Sequence, residues 1–324
     1  MQRITNSMLS SNYMSNMKRN LNNMQSLQNQ LSSGKEISRP SDNPYKVSRS
    51  MQLHSEISAN KQYNENIKDI SNWLDTTDTA LNQAGNMFAR VRELLVTAGN
   101  GAYGQDERRA IQDEIKEKVN ELAQVLNTNF DGAYIFGGSK STSKPVMVDS
   151  NGKICYADKD GNKIETKPDG TALDPTKQVA LDQIEADLNV EVSQGVLINY
   201  NKTAKDILEG NGTNIMTTLN KIIDNLGSTG DKSLITGECL GEVDNIINNL
   251  LQNRSEVGAM TNRMESAQSK NEDENLNMTD ILSKTEDIDF TEKMMEYSVM
   301  QTIYMAALQT SAKVLPSTIL DYLR

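Results

Sequence analysis

Between Tyr63 and Ala98 the apolar residues recur at alternating four- and three-residue steps: Tyr63, Ile67, Ile70, Leu74, then Leu81, Ala84, Phe88, Val91, Leu95 and Ala98, with Thr77 the polar step in the series. A period of about 3.5 residues keeps one stripe facing a partner over many turns, so the pattern predicts a long helix packed along others. At about 1.5 Å of rise per residue this stretch alone is on the order of 50 Å long. A second column, Trp73, Ala80, Met87 and Leu94, also repeats every seventh residue and widens the apolar face. A two-stranded coil needs only a narrow stripe, so this helix is expected to meet at least two neighbours, as in a bundle.

The same spacing returns elsewhere. Ile4 and Met8 begin a stripe continued by Met17, Leu21, Met24 and Leu31, set among Ser, Asn and Gln. Those polar residues compete for backbone hydrogen bonds, so this first helix needs a partner to stay folded. Gly34 suits a C-terminal cap, Asp42 or Asn43 can cap the next helix, and Pro44 suits its first turn; helix is predicted from Tyr45 to about Gly99. Ile111, Ile115, Val119, Leu122 and Leu126 form one face of a helix opened by Asp106 and Glu107, expected to fold back along its predecessor. Val243, Ile246, Leu250, Val257, Met260, Met264 and Ala267 resume the alternation, with Asn253 at one seam position, free to fix register or to face water. The seam turns polar from Asn271 to Glu274, which predicts a weak point or bend. A last stripe runs through Phe290, Met294, Tyr297, Gln301, Tyr304, Leu308, Ser311 and Leu315, before Pro316 breaks or bends it.

Between about 138 and 200 the pattern changes. Asn151-Gly152, Asp160-Gly161 and Asp169-Gly170 separate short β-prone runs, and such pairs supply the positive φ of tight hairpin turns. A small β-rich insert is predicted, with a helix from Ile215 to Leu226 closing it. The fold class is therefore mainly α: a long antiparallel helical bundle or coiled-coil rod with both termini together, plus a small β-rich inserted domain.

Composition narrows the chemistry. The 324 residues carry a net charge of -11, which argues against nucleic acid and anionic membrane as partners. No apolar run reaches the ~20 residues of a membrane span, and the start lacks the charged-then-apolar pattern of a cleaved signal peptide. Gly99-Asn100-Gly101-Ala102-Tyr103-Gly104 spells a dinucleotide fingerprint, but a long helix precedes it where a buried strand belongs, so it reads as a helix reversal. Asp158, Asp160 and Gly161 imitate a calcium loop, yet that alignment puts Tyr156 first and Lys167 last, removing two carboxylates. His54 stands beside Ser55 and Glu56, which point in different directions on a helix and make no triad. Cys155 and Cys239 are either two thiols or one bridge. No catalytic residue, metal or cofactor is expected.

Arg3-Ile4-Thr5-Asn6-Ser7-Met8, Leu31-Ser32-Ser33-Gly34-Lys35 with Arg39-Pro40-Ser41-Asp42-Asn43-Pro44, and Arg90-Val91-Arg92-Glu93-Leu94-Leu95 resemble the N-terminal region of the flagellin family. The close, from Met294-Met295 to Leu320-Asp321-Tyr322-Leu323-Arg324, is similar to that family's C-terminal region. The start, the Arg-Pro-Ser-Asp-Asn-Pro loop and Asn129-Phe130-Asp131-Gly132-Ala133-Tyr134-Ile135-Phe136-Gly137-Gly138 side with the members that join hook to filament rather than with filament flagellin. The resemblance covers about 140 residues at the front and 80 at the back.

The resemblance implies a non-enzymatic subunit of the bacterial flagellum, extracellular, exported unfolded without a cleaved signal. It would form a ring of copies of itself between hook-associated protein 1 and flagellin, after contact with a cytoplasmic export chaperone. It implies five segments: 1–43, an N-terminal assembly helix and loop; 44–137, the first part of a helical rod; 138–235, a variable insert; 236–284, the return helix; and 285–324, a C-terminal assembly helix. Contact residues expected on the terminal helices are Ile4, Met8, Met17, Leu21, Met24, Leu31, Phe290, Met294, Tyr297, Tyr304, Leu308 and Leu315. The alternatives are a filament flagellin, an enzyme with carboxylates in the insert, and a cytoplasmic coiled-coil scaffold.

Overall fold

The computed structural model describes residues 6–37, 39–99, 104–165, 172, 174–227 and 235–314. Ile4, Leu315, Pro316, Asp169-Gly170 and residues 100–103 of the glycine-rich loop lie outside them. In chain order the elements are α1 (Asn6–Ser33), α2 (Pro44–Ala98), α3 (Gln105–Leu126), β1 (Asn129–Phe130), β2 (Ala133–Tyr134), β3 (Val146–Val148), β4 (Ile154–Ala157), β5 (Lys163–Ile164), α4 (Pro175–Glu185), β6 (Asn189–Ser193), β7 (Val196–Asn199), α5 (Ala204–Leu208), α6 (Ile215–Leu226), α7 (Leu240–Glu286) and α8 (Phe290–Val314). The fold is mainly α, with a few small antiparallel sheets. The chain forms two compact units: residues 61–272, and residues 1–60 with 273–324.

The larger unit holds one continuous core. From Ile67 to Ala98 every seam position of α2 is buried, Thr77 included, and so is the second column of Trp73, Ala80, Met87 and Leu94. Thr77 satisfies its hydroxyl on the Trp73 carbonyl one turn back, at 2.8 Å, so the polar step costs no unpaired group. α3 buries Ile111, Ile115, Val119, Leu122 and Leu126, and α7 buries Val243, Ile246, Leu250, Val257 and Met264. Arg90 on α2 reaches Glu114 on α3, while Arg92 pairs with Asp244 and Arg254 with Asp78 between α2 and α7. These pairs rim the seams, where they orient the helices more than they stabilise them.

The insert is built as the turn pairs predict at the described sites. β3, β4 and β5 form an antiparallel sheet, with Met147 opposite Cys155 and Tyr156 opposite Ile164. Gly152 (φ 76°) and Gly161 (φ 79°) make its two reversals. Asp158 Oδ1 accepts the N–H groups of Asp160 and Asn162, which makes this a hairpin turn. α6 runs from Ile215 to Leu226, capped by Asn214 Oδ1 on Thr217 N–H. Cys155 and Cys239 are buried free thiols.

One open reading along α7 is decided. Asn253 does not face water; it is buried, and its amide donates to the Asn249 carbonyl at 3.0 Å. α7 is continuous through the polar stretch from Asn271, where Asn271 is buried and donates to the Val192 carbonyl of β6 at 2.7 Å, and the boundary between the two units falls at 272/273.

The smaller unit contains α1, α8, the start of α2 and the end of α7. Leu53, Ile57 and Leu282 form its small buried cluster, with Met278 against it. Asn43 Oδ1 accepts the Lys46 N–H at 3.1 Å and so begins α2 ahead of Pro44.

Candidate functional site

α1 and α8 pack side by side and antiparallel. Tyr13 donates its hydroxyl to the Ala307 carbonyl, and at the other end Lys35 forms a β-bridge with Asp287. Gly34 takes φ 72° there, so that the Ile288 N–H reaches its carbonyl at 3.2 Å and the Glu36 N–H reaches that of Glu286 at 2.6 Å. Lys35 Nζ pairs with Glu286 at 2.9 Å and Asp287 at 2.7 Å. Ser50 and His54 from α2 also meet the Glu286 carboxylate, so the sole histidine belongs to a structural cluster.

The side of α1 that is wholly or partly covered runs through Ser10, Tyr13, Met17, Asn20, Met24, Leu27 and Leu31, again in three- and four-residue steps. Met17, Met24 and Leu31 lie where the sequence put them. Met8 (54% exposed) and Leu21 (44%) are off this seam, and Leu27, which the sequence reading passed over, is its most buried residue. On α8 the half-covered positions are Lys293, Tyr297, Met300, Tyr304, Ala307 and Ser311. Tyr297 and Tyr304 fall on this stripe. Phe290 stands in the column of Tyr297 but is exposed at the start of the helix, and Met294 and Leu308 are off the stripe: the second column is Lys293, Met300 and Ala307, one residue earlier.

Seven large apolar side chains of α8 are exposed: Phe290, Met294, Met295, Val299, Ile303, Met305 and Leu308. The helix is apolar on all sides, yet α1 covers only one. A groove of about 460 Å³ lies between the two, lined by Leu27 from α1 and Val299, Met300 and Ile303 from α8. A helix that is apolar all round is normally buried all round, so this exposed side of α8 has the character of an interaction surface. Among the described residues no cluster of three or more His, Cys, Asp and Glu can hold a metal, and no helix is long and apolar enough to cross a membrane.

Residues 4–141 match the bacterial flagellin N-terminal helical region, and residues 240–323 match the bacterial flagellin C-terminal helical region. The chain belongs to the flagellin family. The two matches bracket the insert and include both helices of the α1–α8 pair. Among relatives, hook-associated protein 3 of Escherichia coli K12 is 25% identical over 88% of this chain and 86% of its own. The flagellin of Bacillus subtilis 168 is 24% identical over 99% of this chain and all of its own. The crystal structure of hook-associated protein 3 from Legionella pneumophila superposes with a TM-score of 0.57 over 72% of this chain and 98% of that one, at 16% identity, which establishes a shared fold. As a member of the flagellin family this chain is a structural protein of the flagellum, and α8 carries chemistry that suits one: apolar side chains in quantity and no reactive constellation.

Proposed function

We propose that this flagellin-family chain is the subunit of the hook–filament junction. Copies of it form a ring between hook-associated protein 1 and the first flagellin subunits. The observation that carries the reading is the outward apolar side of α8, because a junction subunit must bury its terminal helices against neighbours. The likeness to hook-associated protein 3 of Escherichia coli over 88% of this chain supports the position within the flagellum. Assembly contacts come from Ile4, Met8, Met17, Leu21, Met24 and Leu31 at one end, and from Phe290, Met294, Tyr297, Tyr304, Leu308 and Leu315 at the other. Segments 1–43 and 285–324 act as the assembly ends, with 44–137 and 236–284 as the rod and 138–235 as the insert. Export precedes folding of these ends; a cytoplasmic chaperone covers their apolar stripes until then.

A filament flagellin is the second reading, favoured by the Bacillus subtilis relative that spans the whole chain. Seeded assembly separates the two. Purified chain is added to hooks capped with hook-associated protein 1, and growth is followed by electron microscopy. A junction subunit adds one layer and stops, after which flagellin elongates from it. Continuous filaments of this chain alone would replace the junction reading with the flagellin one.

A further inference from the structure

A cavity of about 510 Å³ opens on the larger unit. Its walls are the rings of Trp73 from α2, Phe130 from β1 and Tyr200 beyond β7, together with Ile70 and Ala133. Phe130 and Tyr200 both meet Trp73 edge to face, with ring centroids 6.1 and 5.8 Å away. Two carboxylates complete the lining: Asp69, one turn before Trp73, and Asp131, which holds φ 49° in the turn between β1 and β2. Both are exposed, and neither makes an ion pair or hydrogen bond among the described residues. No lysine or arginine lines the cavity, and the Trp73 indole N–H is buried without an acceptor.

Aromatic faces beside unpaired carboxylates are the complement of a cation with a flat or aliphatic body. Arginine matches better than lysine, because its planar guanidinium stacks on rings while its fork of donors engages a carboxylate. We propose that this cavity receives an arginine side chain from an adjoining protein subunit. The guanidinium lies against the aromatic walls and bonds to Asp69 and Asp131. The inference rests on the assembly reading only in taking the donor to be a neighbouring subunit.

Trp73 is the sole tryptophan, so its fluorescence reports directly on the cavity. The purified full chain is titrated with the peptide acetyl-Gly-Arg-Gly-amide, with the citrulline peptide as a neutral isostere and the lysine peptide as a second cation. The expected result is a saturable change in emission with arginine and about tenfold weaker binding with citrulline. A comparable loss is expected for the Asp69→Asn/Asp131→Asn variant, whose isosteric exposed changes are checked by circular dichroism. No saturable response to arginine, equal affinity for citrulline or lysine, or an unchanged variant would each overturn the proposal. Because the titration uses the isolated chain, a wrong position in the flagellum would leave it standing, and its own failure would leave seeded growth unaltered.

Discussion

Lys35 and Asp287 show what a single pair contributes to the smaller unit. The hydrogen bond from Lys35, and after it that from Ser283, holds the Asp287 carboxyl below its ordinary 3.8. The bonds to Asp287 and then Glu286 raise Lys35 above its ordinary 10.5. A depressed carboxyl adds stability that is complete above its unfolded value and disappears as pH falls through its folded one; a raised amine adds stability complete below its unfolded value and lost as pH rises through its folded one. The pair therefore acts across the range from about 4 to 10 and is lost first on the acid side. Both side chains are over 40% exposed, so the interaction is screened and its coupling stays below about 1 kcal/mol. A double-mutant cycle with Lys35→Met and Asp287→Asn, read by thermal melts, should give that coupling at pH 7 and a smaller one at pH 2.5. Equal coupling at both would show that the β-bridge backbone, not the charges, joins the two turns. None of this was legible from the residues, which stand 252 positions apart. The same distance hid the use of Asn271: its polarity marked a weak point, whereas the Val192 carbonyl that satisfies it comes from a hairpin 79 residues away.

Helices were legible in proportion to how sharply their faces differ. α2 alternates apolar seams with charged positions, so only one register places its apolar residues inside, and that register is the one observed. α8 offers no such contrast. Its apolar residues lie on every side, so the column through Met294 and Leu308 fits the heptad template as well as the true one through Met300 and Ala307. The choice is made by α1, through Tyr13 and Leu27. The insert shows the limit in another form: its Asn-Gly and Asp-Gly turns were readable, whereas α4 was not, because eleven residues with few apolar contrasts carry no clear period. The difference between the two helices predicts a difference in cost. Phe88 of α2 is fully buried, so Phe88→Ala should destabilise the isolated chain by about 3–5 kcal/mol in urea unfolding. Met295→Ser with Val299→Ser, both more than half exposed on α8, should change it by less than about 1 kcal/mol while abolishing layer formation on hook seeds. A large loss of monomer stability in the α8 variant would mean that this side is already covered within the chain.

At the scale of the molecule, burial is divided unequally. The extended core belongs to the unit of residues 61–272, whereas the smaller unit relies on one thin seam between α1 and α8 and on a three-residue cluster. Ordering backbone costs roughly 1–2 kcal/mol per residue, and a helix stays folded only where burial offsets that cost. α1 is poor in strong helix formers and half-covered along its seam, so its hydrogen bonds should open at far lower free energy than those of α2 beyond Lys61. Amide hydrogen exchange on the purified monomer tests this, with residues 6–33 and 290–314 compared against Tyr63–Ala98. Exchange at the two terminal helices is expected to be faster by orders of magnitude, with the middle of α2 protected up to the global unfolding limit. Addition of hook seeds should then slow the terminal helices alone, because the neighbours supply the burial that α1 cannot. Equal protection throughout the monomer would make the terminal pair part of the permanent core. Assembly would then have to use surfaces other than α8, and the exposed methionines, valine and isoleucine along it would have no role in holding the subunit in its layer.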